Sequence, residues 1–134
     1  MDNEWAYDVE TSIYTMFKIY YENLFADDYS NLFITTDEEQ SGTAVFPTVL
    51  IQQLGFAEVG RDLDGTGING IRPTFQITIS HNGTKAEIKK LTVYAAEFFK
   101  EKRFDVSNLI YTVSDKVRTG VFRASRVIGA NNTL

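Results

Sequence analysis

Thr74-Phe75-Gln76-Ile77-Thr78-Ile79-Ser80, followed by His81-Asn82-Gly83 and then Thr84-Lys85-Ala86-Glu87, is the stretch that decides the fold of this chain. Phe75, Ile77 and Ile79 alternate with Thr74, Gln76, Thr78 and Ser80, so one side of a strand packs and the other stays wetter. That pattern belongs to antiparallel sheets, since parallel strands are buried on both faces. Asn82-Gly83 makes a turn, and Thr84 with Glu87 three residues later spells a helix-starting capping box. The apolar period then changes from two to between three and four. Ile88, Leu91, Ala95, Phe98 and Phe99 form one stripe on a helix reaching about Lys102. Lys100, Lys102 and Arg103 lie at its C-terminal end, where cations complement the helix dipole.

Two further strands are expected downstream, about Asn108 to Val113 and Val117 to Ile128, joined tightly through Ser114-Asp115-Lys116. On the last strand Arg118, Phe122, Ala124 and Arg126 share one parity, and Val117, Val121, Arg123 and Val127 the other. Neither side is purely apolar unless a bulge at Gly120 changes the register. Two readings stay open: the arginine stems run along the sheet to water, or the strand borders a subunit interface.

Upstream, Val45 to Leu54 is β-branched and apolar, with Pro47 near its start, as in an edge strand or a strand's first residues. Residues 55–70 contain Gly55, Gly60, Gly65, Gly67 and Gly70 and read as a long flexible loop, the least core-like part of the chain. Leu32-Phe33-Ile34 is a short apolar run before an acidic loop, Asp37-Glu38-Glu39. The chain begins with a helix, roughly Glu4 to Phe25, whose stripe is Val9, Ile13, Met16, Phe17, Tyr20 and Leu24. Asp2, Glu4 and Asp8 suit its start, and Asp27-Asp28 its exit. Tyr7, Tyr14 and Tyr21 recur every seven residues beside the stripe, as a helix edge over a sheet or as a subunit contact. These elements predict a single α+β domain over 1–134. Its mainly antiparallel sheet has about four to five strands, with two helices packed on one face.

At 134 residues and 43% hydrophobic content, one ordinary core is expected. The chain has no Cys, so disulfides, thiolate zinc sites and a cysteine nucleophile are excluded. Met1-Asp2-Asn3-Glu4 is too acidic for a signal peptide. No apolar run approaches the roughly 20 residues of a membrane span, so a soluble product without membrane contact is expected. A net charge of −5 argues against a general nucleic-acid binder. The charge is unevenly spread. Residues 1–84 hold 13 acidic and 3 basic side chains, and residues 85–134 hold 5 and 10. Either both sets are solvated faces, or the acidic part of one subunit meets the basic part of a neighbour head to tail.

Catalytic chemistry finds no support. His81 is the single histidine; without a G-x-S-x-G elbow it reads as a turn residue. Asp62-Leu63-Asp64-Gly65-Thr66-Gly67 begins like a calcium loop. However, Asn69 stands where an apolar residue belongs, and Pro73 where the bidentate Glu belongs. Gly65-x-Gly67-x-x-Gly70 precedes a strand instead of linking strand to helix, so the dinucleotide reading fails. Carboxylate pairs such as Glu38-Glu39 lie in solvated runs. No enzyme activity, metal or cofactor is expected.

Several blocks together carry a resemblance. They are Val49-Leu50-Ile51-Gln52-Gln53-Leu54-Gly55, Glu58-Val59-Gly60-Arg61-Asp62-Leu63, Phe75-Gln76-Ile77, the helix Lys85 to Phe99 and Lys102-Arg103-Phe104. Val117-Arg118, Arg123 and Arg126-Val127-Ile128-Gly129 complete the set. In this order they resemble the tail terminator, or tail completion and tail-to-head joining, proteins of long-tailed bacteriophages. The similarity runs from about Val45 to Gly129, with a similar leading helix; Asp37 to Gln40 has no counterpart. The resemblance implies a small subunit of a homohexameric ring in the virion, at the tail and neck, assembled in the host cytoplasm. Such a ring caps the tail tube, ends its polymerisation and meets the head connector or head-closure protein. It implies no cofactor, no turnover and no sequence-specific nucleic-acid binding, with DNA passing through the ring. Composition, and not the resemblance, nominates the interface residues: Glu58, Arg61, Asp62 and Asp64 on the expected loop, and Arg118, Arg123 and Arg126 on the last strand. The alternatives are another phage neck or tail protein (head closure, tail tube) and a non-viral module binding an acidic ligand.

Overall fold

The computed structural model of the protein describes residues 8–36, 45–58 and 70–129. Helix α1 (Val9–Phe25) and the short strand β1 (Phe33–Thr35) lead into β2 (Thr48–Glu58) and β3 (Gly70–His81). Helix α2 (Lys85–Glu101) follows, then β4 (Asp105–Val106), β5 (Ile110–Ser114), β6 (Val117–Ser125) and β7 (Ile128–Gly129). The strands form one sheet in the order β1-β2-β3-β6-β4, with β5 also on β6 and β7 on β3. Every pairing is antiparallel except β1 with β2, which is parallel. The domain is α+β, with an open mixed sheet. The seven strands among the described residues exceed the four to five expected because β1, β4 and β7 span two or three residues each, too few to show a period.

β3 behaves as its alternation requires. Phe75, Ile77 and Ile79 are fully buried, and Thr74, Gln76, Thr78 and Ser80 are half-exposed on the other face. Thr84 starts α2 with both capping-box hydrogen bonds: its hydroxyl accepts from the Glu87 amide, and its own amide donates to the Glu87 carboxylate. The expected stripe of Ile88, Leu91, Ala95, Phe98 and Phe99 is buried. Its rings interlock with those of α1 and the sheet. Phe99 stacks at 6.0 Å on Phe17 and meets Phe104 edge-on at 5.3 Å and Phe122 at 6.0 Å. Burying each such side chain contributes about 1.5–3 kcal/mol. The core therefore lies between the two helices and one face of the sheet.

Three expectations change. On α1 the buried row is Val9, Ile13, Phe17, Tyr21 and Phe25, whereas Leu24 is 40% exposed. The helix is turned so that Tyr21, not Tyr20, points inward. Its hydroxyl donates to the Leu91 carbonyl at 2.8 Å, which satisfies the one polar atom that a buried tyrosine brings. Tyr14 reaches the Ile34 carbonyl at the helix edge; Tyr7 and the expected helix start at Glu4 lie outside the described residues.

The loop expected over residues 55–70 is too long at both ends. Antiparallel pairing continues past an irregularity between Gln53 and Gly55, through Gly55↔Thr74, Phe56↔Pro73, Ala57↔Arg72 and Glu58↔Ile71. Gly55 adopts φ 142° there, a conformation open to glycine and strained for other residues. Pro73 is tolerated inside β3 because it falls in a gap on that strand's other side. The ladder to β6 stops at Thr74↔Ser125, and that to β7 begins at Ile71↔Ile128. Asp37-Glu38-Glu39 and the remainder of the expected loop, including the calcium-like segment Asp62 to Gly67, lie outside the described residues.

β6 carries no bulge at Gly120, which pairs with Ile79 in an unbroken register. Glycine stands there because α2 crosses closely: a Cβ at Gly120 would collide with the buried Thr92 side chain. With the register intact, Gly120, Phe122 and Ala124 face the helices and are buried, and Arg123 points the other way.

Candidate interaction surface

The arginines nominated from the sequence do not converge. Arg123 lies on the helix-free face, its Nε donating to Gln76 Oε1 at 3.2 Å. Arg126 follows β6, and its Nη1 donates to the Lys102 carbonyl at 2.8 Å. It thereby satisfies a carbonyl at the end of α2 that the helix leaves unpaired. Arg118, opposite His81 in the β3–β6 ladder, opens on the helix side. Glu58 ends β2 instead of sitting in a loop. Arg61, Asp62 and Asp64 lie outside the described residues.

Two surfaces result. The first is the helix-free face of the sheet, whose register aligns Phe33, Thr48, Ser80, Thr119 and Thr112 in one row. Thr35, Leu50, Thr78, Val121 and Ile110 make the next row. The first row holds three threonines and the second two beside Leu50, Val121 and Ile110; neither row carries a charge, but Arg123 and Arg72 lie on the same face further along the strands.

The second surface flanks β5. All five of its residues are exposed, and among the described residues it pairs only with β6. Asp115 and Lys116, both at positive φ, close the hairpin with the twist that two-residue connections favour. Between β5 and the first turns of α2 runs a groove of about 470 Å³ lined by Lys85, Ile88, Lys89, Tyr111, Thr112, Val113 and Arg118. Its three cations belong to no ion pair among the described residues. Lys85 and Lys89, four apart on one helix face, are the signal from which sequence reasoning could have found half of this site. Arg118 joins them only through the sheet.

The acid nearest in sequence, Glu87, is engaged elsewhere. Its carboxylate accepts from Thr84, from Tyr29 Oη at 3.1 Å and from His81 Nε2 at 3.0 Å. The His81 hydrogen bond and the Thr84 amide hold its carboxyl down at about 2. His81 is therefore a buried structural residue that ends β3 immediately before the Asn82-Gly83 bend, where a turn residue is expected. A hydrogen bond from Nε2 to a carboxylate puts the ring proton on Nε2. Nδ1 is buried with no hydrogen-bond partner, and Tyr29 packs edge-on against the ring at 5.3 Å. Gly83 is confined by this cluster, since a Cβ there would strike the His81 ring and Glu87. Among the described residues no three acidic or histidine side chains gather as metal ligands, and no helix is long and apolar enough to cross a membrane. Neither a protein-family model nor a curated protein sequence matches this chain.

Proposed function

We propose that the chain is a structural, non-enzymatic subunit that assembles head to tail into a ring of the phage tail-terminator type. In this reading the ring, a hexamer by the resemblance, caps the tail tube in the virion, stops its growth and presents a surface to the head connector.

The observation that carries the reading is the unlike character of the sheet's two lateral ends. One end is β1, which the chain enters from the exposed acids Asp27 and Asp28. The other is the outer edge of β6, which β4 and β5 share, with Lys85, Lys89 and Arg118 beside β5. A ring needs two different, complementary surfaces on each subunit, whereas a two-fold dimer needs one self-complementary surface.

Native mass measurement with negative-stain imaging at high concentration tests the assembly: six-membered rings with a central opening are expected. Loss of the gene tests the role. Overlong tails that fail to join heads are expected, while normal tails beside unplugged heads would assign the chain to head closure.

A further inference from the structure

We propose that the groove between α2 and β5 is the socket for the acidic turn Asp27-Asp28 of a second copy of this chain. The inference rests on the head-to-tail reading and names the contact within it. The socket is cationic and partly apolar: Lys85, Lys89 and Arg118 surround a lining of Ile88, Tyr111 and Val113. Val113 is 60% exposed, so the groove offers unburied apolar surface together with charge that is unpaired among the described residues. Glu87, which could have neutralised these cations from within, is held by Thr84, Tyr29 and His81.

The turn after α1 has the matching character. Asp27 and Asp28 are exposed and pair with no cation among the described residues. Exposed Leu24 stands just before them on the helix. The turn is built before any partner arrives. The amides of Asp28 and Tyr29 both donate to the Phe25 carbonyl, at 3.1 and 2.8 Å, and Tyr29 is anchored on Glu87. Two carboxylates on a fixed turn lose little freedom on docking. A pair made of fully exposed charges would contribute little. Partners that close over Tyr111 and Val113 shed water, and there the same charges count for more.

The absence of Cys from the chain permits a clean test. Lys89→Cys and Asp28→Cys are made separately, checked for native circular dichroism, and treated with a short bis-maleimide alone or mixed at high concentration. The mixture is expected to give covalent dimers roughly tenfold above either variant alone, and less as salt screens the contact. Lys85→Glu with Lys89→Glu should weaken wild-type self-association roughly tenfold, and chains carrying Asp27→Lys with Asp28→Lys should restore it in the mixture.

Rings that form normally while the mixture gives no cross-link above a Lys100→Cys control would overturn the socket and leave the ring reading standing. Dimers within one variant alone would show a two-fold contact and overturn both. A wild-type chain monomeric at every concentration overturns the socket, and tail length after gene loss then decides the ring reading separately. Binding of a short DNA duplex to the groove that competes with cross-linking would likewise reject a second copy as its occupant.

Discussion

Replacing Gly120 by alanine puts a methyl group where α2 lies closest to the sheet. The new Cβ would collide with Thr92 Oγ1 and come within 3.1 and 3.2 Å of Thr92 Cγ2 and Cβ. Thr92 is fully buried and its hydroxyl donates to the Ile88 carbonyl at 2.7 Å. Relief requires lifting α2 from β6 or breaking that hydrogen bond. Overpacking costs about 1–3 kcal/mol and the hydrogen bond about 1 kcal/mol. The stiffer unfolded chain returns about 0.4–1 kcal/mol. Gly120→Ala should therefore destabilise by about 2 kcal/mol. Thr92→Ala alone should cost about 1 kcal/mol, because the Ile88 carbonyl keeps its helical amide donor and only a small void opens. In the double variant the methyl group added at position 120 fills that void, and stability should return to about that of Thr92→Ala. Urea unfolding of all four proteins gives the coupling, expected at about 1.5 kcal/mol or more in favour of the pair. Additivity within about 0.5 kcal/mol would refute the account of Gly120 as a close-approach residue.

Glu87 has its carboxyl lowered from 4.5 to about 2, so between those pH values the unfolded chain binds more protons and stability rises with pH. Acidification through that window should erode stability in the wild type, and Glu87→Gln should flatten that part of a pH–denaturation profile. The effect should be small because the side chain is 38% exposed. Arg126→Ala removes the charge-assisted hydrogen bond to the Lys102 carbonyl and should lower stability by about 1 kcal/mol in urea. An unchanged midpoint would mean that Arg126 does not hold the end of α2.

What the sequence determined by itself was local. The alternation of β3, the capping box at Thr84, the stripe of α2 and the Asp115-Lys116 turn each follow from side chains a few residues apart, where steric periods and orphan amides govern. From these the α+β class was legible. Other features waited on partners distant in the chain. Tyr21 and Phe25 take the core positions expected of Tyr20 and Leu24, and Leu91 offers the Tyr21 hydroxyl an acceptor. The strands grew into the glycine-rich segment because Phe56 to Glu58 and Ile71 to Pro73 had each other to pair with. The arginines of the last strand, alike in sequence, were parted by the pleat and by the strand's end into a groove wall, a sheet-face residue and a helix cap. Lys85, Lys89 and Arg118 share no motif. They become one cationic site because the β3–β6 ladder sets Arg118 opposite His81, just where α2 begins, a proximity that only long-range backbone pairing could create.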